Sequence, residues 1–94
     1  MGEGGVDWSH GQDHMYERHG LTPMMANEAL ADPNRLFCSP DPASKSGASD
    51  RTIGWSDLAG AVLVVITVAD DGVVFGVNGW IGNDTAKRLY QEGI

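Results

Sequence analysis

Residues 61–80 constrain this chain more than any other stretch. Seven of the eight residues from 61 to 68 are apolar and four of them are Val. Such a run is rich in β-branched side chains, and at eight residues it is too short to cross a bilayer. It reads as a buried strand. Asp71-Gly72 separates it from a second apolar run, Val73 to Trp80. Asp-Gly between two such runs signals a hairpin, because Gly takes the positive φ that tight turns demand. A two-residue turn sets Val68 opposite Phe75, Ile66 opposite Val77, Val65 opposite Asn78 and Leu63 opposite Trp80. A one-residue slip sends Trp80 to the other face.

The flanking segments supply helices. Ser9 and Gln12 fit a capping box that opens a helix over residues 10–19, closed by Gly20. Thr22-Pro23 marks a second helix start and Asp32-Pro33 its stop. Residues 35–39 read as an edge strand and residues 51–56 as the next strand, joined by a long polar loop expected to be mobile. Asn83 caps a last helix over residues 84–92, which offers Ala86, Leu89 and Tyr90 to the body and Lys87 and Arg88 to solvent. The expectation is one α+β domain over residues 1–94: two N-terminal helices and a C-terminal helix on a small antiparallel sheet. Residues 1–5 are expected to be a disordered lead-in.

Composition narrows the function classes. The net charge is −7, with six Lys and Arg against thirteen Asp and Glu, which argues against a broad nucleic-acid surface. A local basic cleft would need several of the six to converge. Cys38 is the single cysteine, so neither a disulfide within the chain nor a cysteine-based zinc site is expected. With no membrane span and no basic-then-apolar leader pattern, a soluble cytoplasmic protein is expected.

A few residues are capable of chemistry. His19 either bonds a sheet carbonyl beside the helix-ending Gly20 or works as an acid/base, since imidazole ordinarily changes charge near neutral pH. His14 and His19 lie five apart on different helix faces with no third ligand in reach, so no metal site is expected. Arg51 opens a central strand, where its charge must be paired or at the rim, and it could hold a phosphate or an acid such as Asp50 or Glu17. Asn78 and Trp80 can grip and stack a base. Alternatively Trp8, Trp55 and Trp80 are the large core pieces of a small protein.

Together these residues resemble a known family. Trp8, the run His14-Met15-Tyr16-Glu17-Arg18-His19-Gly20-Leu21-Thr22-Pro23 and then Ala29-Leu30-Ala31-Asp32-Pro33 are similar to the front half of the BrnT-type toxins. Arg51-Thr52-Ile53-Gly54, the apolar strand and a closing basic-Tyr-x-Glu-Gly helix continue the likeness, from about Trp8 to Gly93. The polar loop and Val77-Asn78-Gly79-Trp80 look closer to an actinobacterial branch of these proteins.

The resemblance implies a RelE-like fold and a metal-independent, cofactor-free endoribonuclease that inhibits translation. It also implies a partner, a cognate antitoxin, in a hetero-oligomer or beside a homodimer. Carried over by position, His19 and Arg51 are the catalytic candidates. Arg18, Asn78, Trp80 and Arg88 are the substrate-binding ones. Where the toxins carry a basic Ala-Arg-Arg-type run, this chain has Asn78-Gly79-Trp80. A non-catalytic protein- or peptide-binding module of the same fold is therefore the alternative.

Overall fold

A computed structural model describes residues 5–93, so most of the expected disordered lead-in lies outside the described residues. Among these residues the chain forms a small α+β fold. Helices α1 (Gln12–His19) and α2 (Pro23–Ala31) come first, then strands β1 (Leu36–Cys38), β2 (Ser49–Ser56), β3 (Ala61–Asp70) and β4 (Val73–Ile81), and last helix α3 (Asp84–Glu92). The sheet is antiparallel in the order β1-β2-β3-β4. No helix among the described residues is long and apolar enough to cross a membrane.

The sheet is covered on both faces. On one, Leu63 and Val65 of β3 pack with Trp8, Met15, Leu21, Ala26 and Ala29, the side chains of α1, α2 and their approaches. On the other, Val62, Val64 and Ile66 pack with Ile53 and with Ala86 of α3, flanked by Leu36, Trp80 and Tyr90. Alternate residues of β3 thus feed different cores, and this is why its sequence is continuously apolar rather than alternating. Leu89, expected to face the body, remains 38% exposed; Ala86 and Tyr90 make the contact instead.

Three glycines let the helices lie flush on the sheet. A Cβ on Gly54 would come within 2.2 Å of the Ala29 carbonyl oxygen, and one on Gly76 within 2.3 Å of the Trp8 ring. Gly11 lies against the carbonyls of Gly76 and Val77, where a Cβ would sit 2.4 Å from the former. That contact also corrects the expected start of α1. The N-cap is Gly11, and the helix begins at Gln12, not at His10. The backbone must pass β4 too closely for any side chain at the cap. Ser9 turns instead to Asp7, giving both its N–H and its hydroxyl to the carboxylate. The other caps form as the residues suggest: Thr22 accepts from the Met25 N–H, Asn83 from the Ala86 N–H, and Gly20 closes α1 at φ 71°.

The hairpin turn is Asp71-Gly72, with φ of 52° and 80°, and Val68 lies opposite Phe75 as expected. The register beyond it differs from expectation. A bulge between Ile66 and Thr67 leaves Val77 as an extra residue on β4, so Ile66 pairs with Asn78, Val65 with Gly79 and Val64 with Trp80. The slip arises within the strand, not at the turn. It moves Trp80 from the α1 face to the α3 face and puts Gly79 beneath Met15, whose sulfur would lie 3.0 Å from a Cβ there.

Candidate functional site

The bulge brings one row of side chains together. Cys38, Arg51, Ile66 and Asn78 are successive cross-strand partners from β1 to β4, and Ile53, Val64 and Trp80 form the row beside it. Cross-strand partners share a face, so Arg51, Asn78 and Trp80 all belong to the α3 face. Ile66 of the first row and Ile53 and Val64 of the second belong to the packed core, and Trp80 lies against it.

Trp80 is the centre of the group. It is half-buried, and the Arg51 guanidinium carbon lies over its ring, 5.8 Å from the centroid. That is within the range at which a cation is drawn to the negative face of an indole. The exposed His19 ring, at the last position of α1, lies 6.0 Å from Trp80 and is tilted at 49°. Among the described residues His19 makes no hydrogen bond to a sheet carbonyl, so its structural alternative is not realised here. Three of the six predicted residues, His19, Arg51 and Trp80, therefore form one cluster drawn from α1, β2 and β4, and Asn78 lies on the same sheet face as Arg51 and Trp80.

The remaining two stand apart. Arg18 and Arg88 are exposed, and among the described residues neither has a hydrogen bond, ion pair or ring contact with the cluster. Trp8 is buried, with its indole N–H on the Asn27 carboxamide oxygen at 2.8 Å. Trp55 is 41% exposed, so of the three tryptophans only Trp8 is a fully buried core piece.

Arg51 is paired, but with neither Asp50 nor Glu17. Its Nε donates to Asp41 Oδ1 at 2.9 Å. Asp50 instead accepts from the Ser39 hydroxyl at 2.6 Å. Asp41 is only 6% exposed and organises the polar loop. Its carboxylate takes the Ala43 N–H, its own N–H goes to the Ser49 carbonyl, and its carbonyl takes the Ser44 N–H. The loop expected to be mobile is thus tied to the strand that carries Arg51.

Asn78 is also partly committed. Its carboxamide oxygen accepts the Gly79 N–H at 2.9 Å, which leaves the amide NH2 as its outward function.

Sequence reasoning missed Asp41 and a second buried acid, Asp32. The available signal was local: in Pro40-Asp41-Pro42 and Asp32-Pro33-Asn34 each Asp can accept the N–H two residues on, an Asx turn. Both do so, from Ala43 and Asn34. Asp32 Oδ2 also takes the Trp55 N–H at 2.8 Å, which β1 is too short to pair, and the Tyr90 hydroxyl of α3 at 2.5 Å. Burial pushes its carboxyl up, but the bonds from Tyr90, Asn34 and Trp55 and the charge of Arg35 outweigh this and hold it below the ordinary value. The same Asp32 bond, with burial and the nearby charge, raises the Tyr90 phenol.

An open concavity of about 480 Å³ lies by the end of α3, lined by Asn34, Arg35, Leu36, Tyr90 and Gln91 among others. None of the six predicted residues lines it. No three His, Cys, Asp or Glu side chains among the described residues gather as a metal site would require. Comparison with protein-family models and with curated proteins gave no match.

Proposed function

We propose that the chain is a RelE-like ribonuclease toxin of the BrnT type, acting on RNA in the cytoplasm and held in check by a cognate antitoxin. One observation carries the reading. Of the residues singled out by chemistry and by resemblance, His19 and Arg51 approach the Trp80 ring from two other elements, and Asn78 shares its strand and face.

Each has a role in metal-independent RNA cleavage. A base stacks on Trp80, and the Asn78 NH2 donates to an acceptor on its edge. His19 takes the proton of the 2′-OH as that oxygen attacks the adjacent phosphorus. The new O2′–P bond forms as the P–O5′ bond breaks, and the leaving O5′ takes its proton from solvent. The Arg51 Nη groups face the charge that builds on the phosphoryl oxygens. Arg18 and Arg88 remain as more distant contacts for flanking phosphates.

A second reading, a non-catalytic RelE-like module that binds a protein segment, is favoured by the ion pair. Asp41 offsets the one arginine at the cluster, on a chain of net charge −7. Controlled expression separates the two. A ribonuclease arrests growth, cleaves RNA in the presence of a chelator and loses both effects in His19→Ala and Arg51→Ala. Harmless expression of the wild-type chain together with intact RNA refutes it. A stable complex with the product of the neighbouring reading frame, without RNA loss, supports the module.

A further inference from the structure

The arrangement of the Asp41–Arg51 pair goes beyond a salt bridge. Asp41 is the more buried partner, its side chain 6% exposed against 27% for Arg51. The carboxylate therefore lies behind and the guanidinium in front. Only Nε is engaged, so both Nη nitrogens are without a hydrogen bond among the described residues. Guanidinium recognises phosphate through pairs of parallel N–H groups, and the Nη pair remains for that purpose beside the Trp80 ring. A free arginine side chain samples many rotamers, and a ligand that must fix it loses affinity accordingly. Asp41 fixes it in advance, and is itself fixed by Ala43, Ser44 and Ser49.

We propose that Asp41 is a positioning residue. It holds the Arg51 Nη pair as a fork for a phosphate whose nucleoside lies against Trp80 and His19, so the ligand class is a nucleoside 3′-phosphate unit. This rests on the ribonuclease reading of the cluster. A pair that served only to close the loop would have no need of an outward guanidinium over an indole.

The test is titration of the full chain with uridine 3′-monophosphate and with uridine, by calorimetry or by amide NMR. Asp41→Ala is expected to weaken the nucleotide by up to about tenfold, the entropy of one released arginine side chain, and to leave uridine unchanged. Asp41→Asn keeps an acceptor for Nε–H and should bind the nucleotide within about threefold of wild type, or more tightly because a carboxylate charge is gone. Both variants lose the carboxylate charge, so equal weakening of nucleotide and uridine in Asp41→Ala, or nucleotide binding by Asp41→Ala as tight as by Asp41→Asn, overturns the proposal. If Arg51→Ala abolishes nucleotide binding while Asp41→Ala binds the nucleotide as tightly as Asp41→Asn, the positioning role alone fails. If wild type binds neither probe, the ribonuclease reading fails with it. Should Asp41→Ala misfold, the wild-type Arg51 Nε–H resonance decides. It is expected to exchange slowly and to stay in place as the nucleotide is added, and exchange as fast as in free arginine overturns the role.

Discussion

Asp32→Asn isolates what joins the layers of this fold. The carboxylate serves two backbone donors with different oxygens: Asn34 N–H on Oδ1 at 2.9 Å and Trp55 N–H on Oδ2 at 2.8 Å, with the Tyr90 hydroxyl also on Oδ2. A carboxamide has one oxygen, so in either orientation one of the two N–H groups faces an NH2. A part-buried donor stranded in this way costs about 1–3 kcal/mol. The bond from Tyr90 loses its charge assistance, roughly a further 1 kcal/mol. The expected loss is about 2–4 kcal/mol, or about 10–25 °C in Tm for a domain of this size. Urea unfolding followed by tryptophan fluorescence measures it. Because the folded carboxyl is held below its ordinary value, its stabilisation is complete above about pH 4, the unfolded value, and is lost as pH falls through the folded one. The gap between wild type and variant should therefore narrow toward acid. A variant within about 0.5 kcal/mol of wild type at pH 7, or a gap that does not change with pH, refutes this account of Asp32.

Other outcomes follow from the same contacts. Tyr90→Phe should cost about 1–2 kcal/mol by urea unfolding. Since the Tyr90 phenol is raised, its contribution should persist at pH 10 and disappear as pH rises through the folded value. Gly54→Ala meets the Ala29 carbonyl, which is backbone and cannot swing aside, so a loss of about 3 kcal/mol or more is expected in thermal melts. Gly47→Ala, where φ is 75° but nothing lies within 4 Å of the added Cβ, should cost only about 1 kcal/mol. Trp8→Phe strands the Asn27 oxygen at a half-wet position and should cost more than Trp55→Phe, whose indole is exposed and bonded to Asp57.

The parts of the fold visible in the sequence are those set by local rules. The Thr22-Pro23 start, the Asn83 cap and the Asp71-Gly72 turn each depend on residues within four positions of one another, and each forms as read. Where a rule failed, a distant contact overrode it. Ser9 is an adequate cap, yet Gly11 takes the position because the helix must clear the carbonyls of β4, more than sixty residues away. The same holds at the cluster. His19, Arg51, Asn78 and Trp80 were identifiable as polar or aromatic residues in apolar surroundings, but the acid on Arg51 was not. Asp41 reaches it only because β1 and β2 fold back on the loop between them. Nothing in the residues announced the bulge at Val77 either, since Gly76 and Gly79 fit an alternating strand equally well.

That bulge decides whether there is a cluster at all. With strict alternation from the turn, Trp80 would pair with Leu63 and enter the α1 face, where Gly79 now leaves room only for the Met15 sulfur. The single extra residue returns Trp80 to the Arg51 face, while Gly76, on the turn side of it, stays opposite Thr67 beneath Trp8 in either register. Deleting Val77 tests this with opposite outcomes. If Val77 is the extra residue, its loss leaves Gly76 opposite Thr67, Asn78 opposite Ile66 and Trp80 opposite Val64, so every side chain keeps its face. Stability should then fall by no more than about 2 kcal/mol, chiefly from the lost approach of Gly11 to the Val77 carbonyl. A regular strand would behave otherwise. Removing one residue would turn Asn78, Gly79, Trp80 and Ile81 to the opposite faces together, taking Trp80 out of the α1 face and leaving only Gly79 beneath Met15. An unfolded deletion variant would refute the bulged register. A folded one whose Trp80 ring still shifts the His19 imidazole resonances would place both on the same rim.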